Sequence, residues 1–243
     1  MTMKKCFALL LLFTFIANAQ IGNISANGDF RDVGDNLMVN NNVKEVNLGT
    51  VRGTPYLNED FVKGIIVDVK NDNTIAAFLR YNSYNDVFEI KGDLNSNDVK
   101  TLERTPNYQY IVNGEKYVLI NAPVVINKYH YRKGNGYVVE LKETENISLY
   151  KRYAKQYEKG KKAISNYDVD KPAQLNTKTA YFFKFKDRYV PVEPHKKRVL
   201  DAFTDHRKDI KKFVKENKIK FRGGTEGEEE DLIKVMNYYN TLL

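Results

Sequence analysis

The residue types best suited to binding chemistry lie in one basic and aromatic run, at residues 150–162. Six lysine and arginine residues stand there against a single glutamate, and three tyrosines lie among them. If the run forms a strand, Tyr153, Lys155 and Tyr157 share one face and Arg152 points to the other. Rings beside cations can hold a glycan or an anionic polymer by stacking and charge. We therefore predict a ligand-binding site at the following residues: Tyr150, Arg152, Tyr153, Lys155 and Tyr157.

The same run has a plainer interpretation, which stays open. Lysines along the edge of a strand keep a sheet from pairing with another molecule. Tyrosine is common in strands with one wet face. The 17 tyrosines of this chain, which has no tryptophan, therefore require no ligand to explain them.

The usual catalytic groupings are missing from the sequence. The three histidines, His130, His195 and His206, lack the spacing of a zinc motif. No serine has the Gly-x-Ser-x-Gly context of a hydrolase, and no glycine-rich loop suits a phosphate. Two carboxylates could cleave a glycosidic bond, but among 31 acidic residues no pair stands out. We predict no metal and no cofactor, and we favour a protein that is not an enzyme.

Residues 1–19 have the pattern of a signal peptide. Lys4 and Lys5 precede an apolar run at 7–16, and small residues follow at 17–19. The apolar run is too short to span a bilayer. We expect export to the periplasm or the medium, with cleavage after Ala19. The single cysteine, Cys6, lies in this segment, so the mature chain would have no thiol.

The chain is basic, with a formal net charge of +8, to which Lys4 and Lys5 contribute two. On an exported protein this excess suits an anionic partner, such as an envelope lipid, lipopolysaccharide or an acidic glycan. An envelope protein is a further possible partner. We expect no nucleic acid, because of the location, and no membrane-spanning segment.

The elements that must position these residues are mostly strands. Residues 65–70 alternate apolar and polar side chains, and residues 75–81 and 87–90 continue as two further strands. The turns between them fall at 71–73 and 82–86, which are rich in Asn and Asp. Asn113-Gly114 predicts a hairpin whose two central residues have positive φ.

The second half of the predicted sheet contains its own turns. Pro123 is expected to break a ladder and therefore to lie at the start or the edge of a strand, with a new strand at 124–131. A turn at 134–136 (Gly-Asn-Gly) then leads into a strand at 137–141, and a further strand begins at Ile147. The period becomes helical from Pro194 onward.

These patterns predict a mainly β fold of the α+β type. We expect about ten to twelve strands in an antiparallel, meander-like curled sheet or partial barrel, with a C-terminal helical segment packed on it. Its β region is 20–193 and its helical segment is 194–243, and the two form one structural unit.

Several motifs together resemble a group of exported proteins from Bacteroidota. They are Tyr-Leu-Asn-Glu-Asp-Phe at 56–61, Leu-Arg-Tyr-Asn-Ser-Tyr-Asn-Asp at 79–86, Leu-Tyr-Lys-Arg-Tyr at 149–153, Asp-His-Arg-Lys-Asp-Ile-Lys-Lys-Phe at 205–213 and Tyr-Tyr-Asn at 238–240. The resemblance implies export and a whole-chain architecture. It implies no activity, and no catalytic residue is carried over from it.

Three functions are compatible with the sequence. The first is an exported, non-catalytic binding or scaffold protein of the cell envelope. The second is a carrier that encloses a lipid or another apolar ligand in the curl of the sheet. The third is a hydrolase of envelope glycan that uses two carboxylates about 5 to 10 Å apart.

Overall fold

The computed structural model describes residues 51–127, 130–165, 167–186 and 188–243. The predicted signal peptide and its cleavage site lie outside these residues. Ten strands are described: β1 Val62–Asp68, β2 Asn73–Asn82, β3 Val87–Lys91, β4 Lys100–Thr101, β5 Tyr108–Val112, β6 Glu115–Asn127, β7 His130–Glu143, β8 Ile147–Glu158, β9 Gln174–Phe185 and β10 Arg188–Val192. Three helices follow: α1 Lys196–Ala202, α2 Arg207–Glu216 and α3 Gly224–Asn240.

All ten strands form one antiparallel sheet in the order β10-β9-β8-β7-β6-β5-β1-β2-β3-β4. The sheet is open, and the helices follow it at the C-terminal end of the chain. The predicted fold class, mainly β with a C-terminal helical segment, is confirmed. No helix in the described part of the chain is long and apolar enough to cross a membrane.

The short hairpin turns lie where their residue types predict them. Asn113 and Gly114 have φ values of 52° and 77°, and they join β5 to β6. Asp72 and Asp86, in the two turns beside β2, also have positive φ, at 50° and 59°. Asparagine, aspartate and glycine tolerate this conformation better than other residues, so these turns are fixed by local sequence.

The turn predicted at residues 134–136 is wrong, because β7 runs through it without interruption. Gly136 serves a different purpose: a Cβ atom there would lie 1.7 Å from the Arg152 guanidinium, which packs against the bare backbone. The predicted break at Pro123 is also wrong, since Pro123 pairs with Lys133 inside the β6–β7 ladder. Beyond Tyr117, the described pairings of β6 are those with β7, so Pro123 lies at a strand edge, as expected, where the ladder can accept a proline.

The curl of the sheet is filled by an aromatic core. Phe88 stacks on Tyr110 with ring centroids 4.2 Å apart, and it meets Tyr117 and Tyr137 edge to face at 5.2 and 5.1 Å. Tyr81 also stacks on Phe88, with ring centroids 4.9 Å apart. All five rings are buried. Stacked and edge-to-face rings of this kind stabilise beyond their buried area, so this aromatic core helps to hold the curl together.

Alkaline pH is expected to unfold the protein through these tyrosines. Burial raises the pKa of Tyr81, Tyr110 and Tyr117 above the ordinary 10.0 and that of Tyr137 to about 12. The unfolded chain therefore loses these protons near pH 10 while the folded chain keeps them, and the free energy of unfolding falls as the pH rises above 10. Tyrosinate absorbance and circular dichroism, followed together, should show the buried fraction ionising only as the sheet unfolds. Smooth ionisation of all tyrosines near pH 10 with an intact sheet would contradict this.

A second core joins the sheet to the helices. Leu149 and Phe183, on neighbouring strands, pack with Phe203, Leu232 and Met236 of the helical segment. The Phe183 and Phe203 rings lie 5.0 Å apart. Because the helices bury their apolar faces on β8 and β9, the sheet and helical segment share one hydrophobic core.

Candidate functional site

The structure divides the five predicted binding residues between interior and surface. Tyr150 is buried with Val118 and Val138, and Arg152 is only 5% exposed. Tyr153 is half-buried, whereas Tyr157 is 48% exposed. The fifth residue, Lys155, is half-buried, and its backbone N–H donates to the Ser83 carbonyl at 3.1 Å. The binding role of these residues stays a prediction.

Arg152 belongs to a buried cluster around Asp86, the last residue of the β2–β3 turn. Its guanidinium lies 3.0 Å from Asp86, and Arg104 reaches the same carboxylate oxygen at 2.8 Å. The other oxygen accepts the Tyr81 hydroxyl at 2.6 Å and the Tyr137 backbone N–H at 3.1 Å. One nearby donor, Tyr81, and three donors from distant parts of the chain therefore converge on one carboxylate.

The contacts of this turn explain how the curl is held. Pairing between β7 and β8 extends from Glu143 and Ser148 only as far as Val139 and Lys151. Past that point the β2–β3 turn supplies the acceptors, through Asp86 to β7 and the Ser83 carbonyl to β8. The segment before β1 reinforces the same region, since the Leu57 N–H donates to the Tyr81 carbonyl at 3.1 Å.

A second charged cluster surrounds Lys151, whose side chain is 5% exposed. Its ammonium lies 2.7 Å from Glu115 of β6 and 3.0 Å from Glu229 of α3. Tyr153 and Tyr117 donate hydroxyls to Glu115, both at 2.8 Å, and Tyr181 donates to Glu229 at 3.0 Å. Burial alone would lower the pKa of Lys151, but its hydrogen bonds to Glu115, Tyr153 and Glu229 outweigh burial and raise that pKa above the ordinary value.

The Glu115 and Glu229 pair does not suit glycoside hydrolysis. A glycosidase places the scissile bond between its two carboxylates. Here the Lys151 ammonium already lies between them at hydrogen-bonding distance from both, and tyrosine hydroxyls engage each of them as well. This cluster attaches α3 to the sheet and leaves no room for a sugar between the acids.

The exposed continuation of the basic run forms an open cleft of about 370 Å³. It lies at the β8–β9 connection, and we call it the basic cleft. Its lining contains four cations, Arg52, Lys161, Lys162 and Lys171, and one acid, Asp170. Asp170 accepts the Ala163 backbone N–H at 2.7 Å. Within the described residues none of the four cations forms an ion pair, so their charge is directed to solvent.

The backbone holds the basic cleft in shape. Lys161 and Lys171 exchange two backbone hydrogen bonds, each of 2.8 Å, which close the neck of the β8–β9 connection. Arg52 is fixed beside this neck, since its N–H donates to the Ala173 carbonyl at 2.8 Å and its carbonyl accepts the Leu175 N–H at 2.9 Å.

None of the five predicted binding residues lines this cleft, although the basic run that contains them extends into it. Lys161 and Lys162 belong to the basic run at 150–162, but Arg52 and Lys171 gave no signal. Arg52 is far away in the sequence, and only the parallel bridge between Arg52 and Gln174 brings it to the cleft.

Neither a metal-ligand cluster nor a known relative gives further information about this site. Among the residues that the structure describes, no three histidine, cysteine, aspartate or glutamate side chains group as metal ligands would. Comparisons with protein-family models, curated proteins and solved structures found no match to the chain. The resemblance to exported proteins of Bacteroidota stays a prediction.

Proposed function

We propose that the protein is an exported, non-catalytic binding or scaffold protein of the cell envelope, which binds anionic groups at the basic cleft. The observation that carries this proposal is the set of four cations around the open cleft, which have no ion-pair partner in the part of the chain that the structure describes. Phosphate and carboxylate groups of envelope lipids and glycans are the anions that such a cleft would meet. The signal-peptide pattern at residues 1–19 supports export.

The location of the cleft also supports a binding role. The β8–β9 ladder runs from the Ile147–Phe185 pair, beside the helical core, to the Glu158–Gln174 pair, beside the cleft. At about 3.3 Å per residue its twelve pairs span about 36 Å. The cleft therefore lies at the end away from the helical core, where a ligand can bind without disturbing the helices.

The alternative of an apolar carrier has less support. A carrier needs an apolar space inside the curl. In the described part of the sheet that position holds the stacked rings of the aromatic core, and Phe88, Tyr110 and Tyr137 are each less than 2% exposed.

The proposal predicts that the cleft lysines control binding of a soluble polyanion. Inorganic polyphosphate is the probe, and binding to the purified protein is measured by calorimetry at low and high salt. Lys161→Gln/Lys162→Gln should weaken binding roughly tenfold at low salt, and the wild-type affinity should fall as salt screens the charges. The control, Lys208→Gln/Lys211→Gln, removes the same charge from the exposed face of α2 and should bind like the wild type. Equal polyphosphate affinity of both variants would refute the claim that the basic cleft binds the anion.

A further inference from the structure

We infer that the tip of the β8–β9 connection inserts into the surface layer of an anionic lipid bilayer, with the basic cleft against the lipid headgroups. This inference rests on the proposed function and specifies the source of the anions. The tip carries three large apolar side chains almost entirely in water: Ile164 is 96%, Tyr167 98% and Val169 81% exposed.

This exposure stands out from the rest of the surface. Single exposed apolar residues are normal on proteins. The other large apolar side chains that are exposed in the described residues are between 41% and 61% exposed, and they are scattered over the chain. Three nearly bare side chains within six consecutive positions form an apolar patch that no other described residue covers.

Hydrogen bonds within the connection fix the conformation of the tip. The backbone N–H of Asp168 donates to the Ser165 carbonyl at 3.1 Å, and the Ser165 hydroxyl donates to the Asp168 carboxylate at 3.3 Å. Together with the two hydrogen bonds of the neck, these contacts hold the apolar side chains outward before any partner binds. Less ordering is then required when the tip binds, which favours association.

The order of side chains along the connection matches the layers of a membrane interface. Isoleucine and valine at the outer end suit the acyl boundary, and tyrosine suits the headgroup level. Behind them lie the four cations of the basic cleft, Arg52, Lys161, Lys162 and Lys171, which would meet the anionic headgroups. Two carboxylates oppose them, and Asp168 and Asp170 both accept hydrogen bonds within the connection. The balance remains positive, so an anionic bilayer is the occupant that fits both the apolar tip and its charge.

Vesicle-binding measurements test the role of the tip independently of the role of the cleft. The probes are vesicles of phosphatidylcholine with phosphatidylglycerol, and vesicles of phosphatidylcholine alone, measured by co-sedimentation. Ile164→Ser/Tyr167→Ser should weaken binding to the anionic vesicles by about 30-fold or more, because two inserted apolar side chains are lost. The same variant should keep its polyphosphate affinity and its melting temperature, since both side chains are exposed in the folded protein. Leu94→Ser/Val99→Ser, which removes exposed apolar residues elsewhere, is the matched control.

A tryptophan at the tip gives a direct measure of insertion, because the chain has none of its own. Emission from Tyr167→Trp should shift to shorter wavelength with the anionic vesicles and be quenched from within the lipid. Leu94→Trp should show neither effect.

The outcomes distinguish the two proposals. Anionic vesicle binding that is unchanged in Ile164→Ser/Tyr167→Ser, with no emission shift from Tyr167→Trp, overturns the insertion while polyphosphate binding at the cleft stands. The insertion is overturned in the same way if the tip binds an envelope protein and Ile164→Ser/Tyr167→Ser binds anionic vesicles as the wild type does. If Lys161→Gln/Lys162→Gln binds polyphosphate as tightly as the Lys208→Gln/Lys211→Gln control does, the proposed function is overturned instead.

Discussion

Replacing Asp86 with asparagine is expected to lower the free energy of unfolding by about 3 to 5 kcal/mol, the usual loss when a buried ion pair is broken. Asp86 accepts hydrogen bonds from Arg104, Arg152, Tyr81 and the Tyr137 backbone. Asparagine keeps the size of the side chain and tolerates the positive φ of this position. The substitution therefore isolates the charge: Arg152, which is 5% exposed, would be left in the interior without its counterion.

Asp72→Asn is the matched control for that experiment. Asp72 also has a positive φ in a turn beside β2, but its side chain is exposed. We expect a change below about 0.5 kcal/mol there, as for most surface substitutions. Urea unfolding of both variants measures the difference. If Asp86→Asn unfolds at the same urea concentration as the control, the Asp86 cluster does not hold the curl together.

The physical basis of that cluster also explains what could be predicted from the sequence. The hairpin at Asn113-Gly114 and the strands around it depend on local preferences, so their residues alone predict them. Local preferences also predict a turn at Gly136, but this residue lies within β7. Glycine is required there because the Arg152 guanidinium occupies the space that a Cβ atom would need. A local pattern cannot reveal a glycine that is required by a side chain on another strand.

The candidate site, like the fold, could be predicted from the sequence only where it depends on local residues. Interleaved cations and rings at 150–162 look alike in sequence whether they are buried or exposed. Their counterions decide the outcome, and for Arg152 and Lys151 these are Asp86 and Glu229, far away along the chain. Lys161 and Lys162 have no such counterion among the described residues and lie at the open cleft. Long-range pairing therefore separates structural charges from those available to a ligand.

The Lys151 cluster gives the second large expected effect. Lys151→Met keeps most of the packing of the side chain but removes the ammonium that contacts both Glu115 and Glu229. Two carboxylates would then face each other across a largely buried space, and we expect a loss of about 3 to 5 kcal/mol in the free energy of unfolding. Lys116→Met is the control, since Lys116 is 40% exposed and its pair with Glu140 should contribute less than about 1 kcal/mol.

The position of this cluster determines how the loss should appear. Glu229 lies on α3 and Glu115 on β6, so Lys151 connects the helical segment to the aromatic half of the sheet. Hydrogen exchange in Lys151→Met should therefore accelerate most at the amides of α3, which would open locally before the sheet unfolds. Lys151→Met/Glu229→Gln should recover much of the lost stability, because it removes one of the two opposed charges. Uniform acceleration of exchange over sheet and helices would instead mean that the cluster stabilises the whole fold and has no special part in holding α3.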